Sequence, residues 1–160
     1  MRKKRKLGVC GHFGSHENIN GQMVKTKILT EELTRYFGSN EIALVDTYGW
    51  KKHPVLLLFR CVKLSIMCRN ILIMPAGGGI KVLAPLFALL CSILKRKLHF
   101  STIGGWLPAY LSDNPWMIKY LKMMSVIYVE TKSIKKSLAE FGIKNAVYMP
   151  NFKNIAVADV

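Results

Sequence analysis

Short apolar runs and longer helical stripes alternate along this chain. Lys6 to Cys10 predicts a buried first strand. Met23 to Phe37 predicts a helix, because Val24, Ile28, Leu29, Leu33 and Phe37 recur at helical spacing. Glu31 and Arg35 are spaced to pair on its wet side, and Gly38-Ser39-Asn40 stops it. Glu41 to Asp46 reads as the second strand. Pro54 fits the first turn of a helix running Val55 to Met67, where its missing N–H costs nothing. Asn70 to Met74 is the third strand, Ile80 to Leu94 an apolar helix and Leu98 to Ile103 the fourth strand. Asn114-Pro115 then starts a short helix to Met124, followed by a fifth strand, Val126 to Val129. Thr131 is placed to N-cap the helix Lys132 to Phe141, which Gly142 ends in the left-handed manner. Ala146 to Met149 is the sixth strand.

That alternation predicts the α/β class, with right-handed crossovers and a doubly wound parallel sheet of about six strands. Such sheets bind ligands outside the carboxyl ends of their strands. Those ends are Gly11 to Gly21, Asp46, Pro75 to Gly79, Gly104 to Trp106, and Glu130-Thr131. The first is the most suggestive: a strand breaks into a loop holding Gly11, Gly14 and Gly21 and runs into a helix. Loop amides and free helix N–H groups make an anion-binding corner. The spacing Gly8-x-x-Gly11-x-x-Gly14 is neither a dinucleotide fingerprint nor a P-loop. Asp46 reads as a strand-end turn residue ahead of a ribose ligand.

Composition narrows the picture. The chain has 160 residues, one domain's worth, and 51% hydrophobic content excludes disorder. Cys10, Cys61, Cys68 and Cys91 form no C-x-x-C pair and no zinc spacing, so they read as small buried residues in a reducing cytoplasm. The basic start Arg2 to Lys6 is followed by too short an apolar run for a signal peptide. Formal charge is +15, from 24 Lys+Arg against 9 Asp+Glu, with clusters at Arg2 to Lys6, Lys51-Lys52 and Lys95-Arg96-Lys97. Such a balance favours polyanions. No nucleic-acid-binding motif accompanies it, which points to an anionic membrane surface and away from nucleic acid. Neither apolar helix is long enough to span a bilayer. Both read as cover helices of the sheet, with the alternative that one lies on the bilayer, its lysines at the headgroups.

Asn20-Gly21-Gln22-Met23-Val24-Lys25-Thr26 resembles the "NGQ-x-VKT" opening of the first helix in bacterial family 4 glycosyltransferases. Thr102 to Pro108, Tyr128 to Thr131 and Tyr148 to Lys153 resemble the corresponding strand ends of members that build capsule and surface polysaccharide. The resemblance spans nearly the whole chain but only the amino-terminal half of such an enzyme. It implies one Rossmann-like half of a two-domain GT-B fold: residues 1–149 as the acceptor-side domain and 150–160 as the start of a linker to a donor-binding domain. No E-x-x-x-x-x-x-x-E donor signature is present. The expectation is therefore an isolated domain, a truncated product or one half of a split transferase, inactive alone.

The resemblance implies roles for particular residues. Gly14, Asn20 and Gly21 would lie against donor phosphates, Gln22 would be a further substrate-binding residue, and Lys25 would either add a point charge or stand in solvent. Gly78 and Gly79 belong to the same glycine-lined rim. Gly104, Gly105 and Trp106 would line the acceptor side, Trp106 either stacking on a sugar or packing in the core. Glu130 and Thr131 close the rim. Many relatives carry a histidine where this chain has Ile103. His12 is the candidate for acceptor or phosphate contact; His16 and Glu17 are the other titratable groups of the loop. No strong enzymic base is required if the leaving phosphate takes the acceptor proton.

The implied function is transfer of a sugar from a nucleotide-sugar donor to a glycan or lipid-linked acceptor, in the cytoplasm or peripherally on the inner membrane face. A donor-binding domain or chain would be its partner, with no cofactor, no metal and no nucleic acid. Two alternatives stand beside it: a non-catalytic membrane-recruiting subunit of a split transferase, and a basic domain binding another polyanion.

Overall fold

The computed structural model describes residues 4–14, 21–75 and 78–150. Six strands alternate with helices: β1 (Arg5–Gly11), α1 (Gly21–Phe37), β2 (Ile42–Asp46), α2 (Pro54–Met67), β3 (Cys68–Met74), α3 (Ile80–Ile93), β4 (Lys97–Ser101), α4 (Leu107–Asp113), α5 (Ile118–Lys122), β5 (Val126–Val129), α6 (Lys132–Glu140) and β6 (Ala146–Tyr148). All strand pairs are parallel, in the order β2-β1-β3-β4-β5-β6. The protein is thus an α/β, Rossmann-like doubly wound sheet. Strand order reverses between β1 and β3, where such sheets open a crevice.

Side chains alternate across the sheet. On one face Leu7, Val9, Ile42, Leu72 and Met74 meet Leu29, Leu33 and Phe37 of α1. On the other, Cys10, Ile71, Ile73, Phe100 and Ile127 form a larger core with α2 to α6, including Phe87, Leu111, Leu121 and Leu138. Burial on both faces explains the near-continuous apolar runs of β1 and β3. Among the described residues, α1 is the helix of its face. Toward β6 that face thins out: His99, Val126 and Tyr128 are half-buried and Val147 is exposed.

Helix ends follow local chemistry. The Thr131 hydroxyl accepts from Ile134 N at 3.1 Å. Gly142, at φ 72°, closes α6 as its N–H donates to Ala139 O.

Several expectations need correction. The buried face of α1 runs through Met23, Thr26, Thr30, Leu33 and Phe37, leaving Val24 exposed. The helix is rotated so that Lys25, one turn in, is buried and Val24 is not. Arg35 pairs with Glu32 at 2.8 Å, not with Glu31. Residues 107–113, assigned to no helix or strand from the sequence, form α4. Pro108 sits harmlessly in the first turn, while Leu107 and Leu111 are buried at i, i+4. A 3-10 turn, Pro115–Met117, then leads into a shorter α5 than foreseen.

Candidate functional site

Because every strand is parallel, all six carboxyl ends share one rim. Around the reversal point, the segments after β1, β2 and β3 enclose a cleft of about 500 Å³. His12 follows β1, Thr47 to Lys52 follow β2, and Pro75, Gly78 and Gly79 follow β3. Leu57, Val82 and Leu83 from α2 and α3 complete an apolar wall. The His12 ring lies 5.7 Å from that of Tyr48. The lining of the cleft thus combines the polar groups of Lys51, Lys52 and His12 with aliphatic carbons. That combination suits a ligand with anionic or hydroxyl groups and an apolar body.

Asp46 holds the cleft together. Its Oδ1 accepts from Phe13 N at 3.1 Å and from Tyr48 N at 2.8 Å, clamping the segments after β1 and β2. Thr47 N donates to Gly11 O at 2.9 Å, extending the same junction. Asp46 is therefore a strand-end turn residue, as its place in the sequence suggested.

A second construction lies on the α1 side of the rim. Lys25 is only 4% exposed. Its ammonium donates to Glu130 Oε1 at 2.6 Å and to the Thr102 carbonyl at 2.9 Å. Glu130 Oε2 accepts from Gly104 N at 2.9 Å. One lysine and one carboxylate thus tie the first turn of α1 to the ends of β4 and β5. Lys25 does not stand in solvent: its charge is matched inside the protein. The sequence signal was weak, a lysine one turn into a helix and a glutamate at a strand end. In a chain with so few acids, Glu130 at the rim was the better clue.

The glycines divide. Gly11 is the last residue of β1, and a Cβ there would meet Thr26 of α1 at 2.9 Å. Gly14 has φ 72° and lies against the Met23 thioether, where a side chain would collide. Both are explained by packing, although Gly11 was expected in the loop. Among the described residues, a Cβ on Gly21, Gly78 or Gly105 would meet nothing within 4 Å. Gln22 ties the start of α1 to β3, its Nε2 donating to Met74 O at 2.9 Å. Trp106 packs on the rim of the larger core, its ring edge-on to Tyr110 at 5.6 Å. Thr131 is used as a helix cap. Asn20, His16 and Glu17 lie outside the described residues.

Of the residues singled out from sequence, the structure therefore gathers His12, Gly78 and Gly79 around the cleft. Lys25, Gly104 and Glu130 are gathered into the brace. Tyr48, Trp50, Lys51 and Lys52 were missed as lining; the glycine following the second strand and the adjacent lysine pair marked that loop. The four thiols are buried and unpaired. The hydrogen bond to Cys61, reinforced by burial, holds the Cys10 thiol well above its ordinary pKa, and burial lifts Cys91 to about 11. Neither Cys10 nor Cys91 is an appreciable thiolate at neutral pH. Among the described residues no group of three or more His, Cys, Asp or Glu is gathered to hold a metal ion, and no helix is long and apolar enough to cross a membrane. Neither a protein-family model nor a curated protein sequence matches the chain.

Proposed function

We propose that this chain is the acceptor-binding half of a glycosyltransferase, moving a sugar from a nucleotide-sugar donor to a glycan or lipid-linked acceptor in surface polysaccharide synthesis. The observation that carries the reading is the cleft at the reversal of strand order, lined by basic and aliphatic side chains together. The resemblance of the Asn20 to Thr26 segment to family 4 transferases supports it.

In this reading the acceptor lies along the cleft with its hydroxyls toward His12 and Lys51 and its apolar part against Val82 and Leu83. The donor comes from a second domain facing the rim. Gly21 opens α1 with no described atom within 4 Å of its Cβ position, and in this reading a diphosphate approaches its backbone closely. The helix N-terminus would stabilise negative charge on the departing diphosphate. Lys25 serves as a positioning residue through Glu130, holding α1 and the Gly104 turn in fixed relation.

The test joins this chain to a complete donor-binding domain and measures transfer from a panel of sugar nucleotides. Transfer is expected with the joined protein. Gly21→Val should abolish turnover while the fold, followed by circular dichroism, is unchanged, because no described residue lies within 4 Å of the added Cβ. Undiminished rates in that variant would remove the phosphate role of Gly21.

A further inference from the structure

The outer surfaces of α2 and α3 are apolar where a covering helix is normally polar. On α2, Val55, Phe59, Val62 and Ile66 fall at i, i+4, i+7 and i+11, one line along the helix. Val55 is 64% exposed, Phe59 67%, and Ile66 is exposed too. On α3, Val82, Leu86, Leu89 and Ile93 repeat the same spacing, with Ile93 76% exposed. The inner faces of these helices, through Leu57, Cys61 and Leu64 and through Leu83, Phe87 and Cys91, are already occupied by the core. Each helix therefore carries two apolar faces. The two outward lines meet in a shallow groove floored by Val55, Leu58, Val82 and Leu86. The result is one continuous patch, larger than scattered surface apolar residues account for.

Charge identifies what covers the patch. Arg60 and Lys63 flank the apolar line of α2, Lys51 and Lys52 precede it, and Lys81 stands in the first turn of α3; all five are exposed. Between Asp46 and Asp113 the sequence contains no acidic residue. A second copy of the chain is a poor match, since a two-fold contact sets this basic rim against itself. A nucleic acid is a poor match for these lines, which apart from Phe59 are aliphatic and neither stack on bases nor bond to them. A surface with anionic groups outside and hydrocarbon beneath fits both features. We propose that α2 and α3 lie flat on an anionic lipid bilayer, with Val55, Phe59, Ile66, Leu89 and Ile93 below the headgroups and the basic rim among them. The cleft shares Trp50 and Val82 with the groove, so it opens beside the membrane. The docking does not rest on the transfer reading, and its test involves no turnover.

The whole chain is sedimented with vesicles of equimolar phosphatidylcholine and phosphatidylglycerol, and with phosphatidylcholine alone. Binding is expected to the anionic vesicles and to fall with salt. Arg60→Gln and Lys63→Gln should each weaken it about fivefold. The surface triple variant Val55→Ser, Phe59→Ser, Ile66→Ser should weaken it by at least about tenfold. A second measurement guards against a non-specific charge effect. The native thiols are all buried, so Phe59→Cys accepts an environment-sensitive fluorophore selectively, and its emission should shift to the blue on anionic vesicles. An unshifted emission, unchanged binding by the triple variant, or concentration-dependent dimerisation through this face that vesicles fail to disperse would each overturn the proposal.

Discussion

Lys25 shows what one buried charge demands. Its ammonium is desolvated and offset by Glu130 and the Thr102 carbonyl. Lys25→Met leaves Glu130 without its cation in a mostly buried position, and should cost about 3–5 kcal/mol in urea denaturation. Adding Glu130→Gln should recover a large part of that loss, so the double-mutant cycle reads the coupling directly. Thr26 presents the opposite case. Its side chain is fully buried, and its hydroxyl has no partner among the described residues. Thr26→Val keeps the shape and removes the unmet polar atom, so it should raise stability by roughly 1 kcal/mol. Both residues sit on α1, where the sequence pattern pointed to Val24. Periodicity sees only apolar side chains, and here a lysine and two threonines occupy the buried face.

At the scale of elements, β4 and β5 carry a pair that titrates. His99 and Tyr128 stack with ring centroids 6.0 Å apart, and the Tyr128 hydroxyl lies 3.3 Å from His99 Nδ1. Burial, with a smaller contribution from Lys97, lowers the His99 pKa below its ordinary 6.5. The unfolded chain then binds the proton more readily than the folded one. The stabilising contribution is complete above 6.5 and declines as pH falls through it toward the folded pKa. His99→Phe should flatten that acid-side decline in a series of thermal melts. All six strands and the principal helices were legible as elements because burial on both faces gives β1 and β3 unbroken apolar runs and caps mark the helix ends. What escaped was α4. Gly104-Gly105 and Pro108 resemble loop punctuation, and only the buried spacing of Leu107 and Leu111 betrays the helix. Within the site, the rim followed from topology, whereas Lys25–Glu130 is a contact between residues far apart in sequence that no local spacing encodes.

For the whole molecule, charge and fold oppose one another. A chain at +15 repels itself when compact. Moderate sodium chloride screens exposed charges over distances beyond about 10 Å at 0.1 M, so the melting temperature should rise with salt. Each kcal/mol of repulsion relieved is worth about 2–4 °C in a protein of this size. A melting temperature that fell with salt would mean that favourable ion pairs, not repulsion, dominate the surface.

The unequal covering of the sheet has a kinetic consequence. β1 and β3 are interior strands with helices on both faces, whereas β5 and β6 have one face only partly shielded by α1's side of the molecule. Deuterium from solvent should therefore enter the backbone amides of β6 first and advance inward, reaching β1 and β3 last. Exchange read strand by strand would show a slow centre around the reversal point, with the segments that frame the cleft anchored to the most durable strands in the sheet.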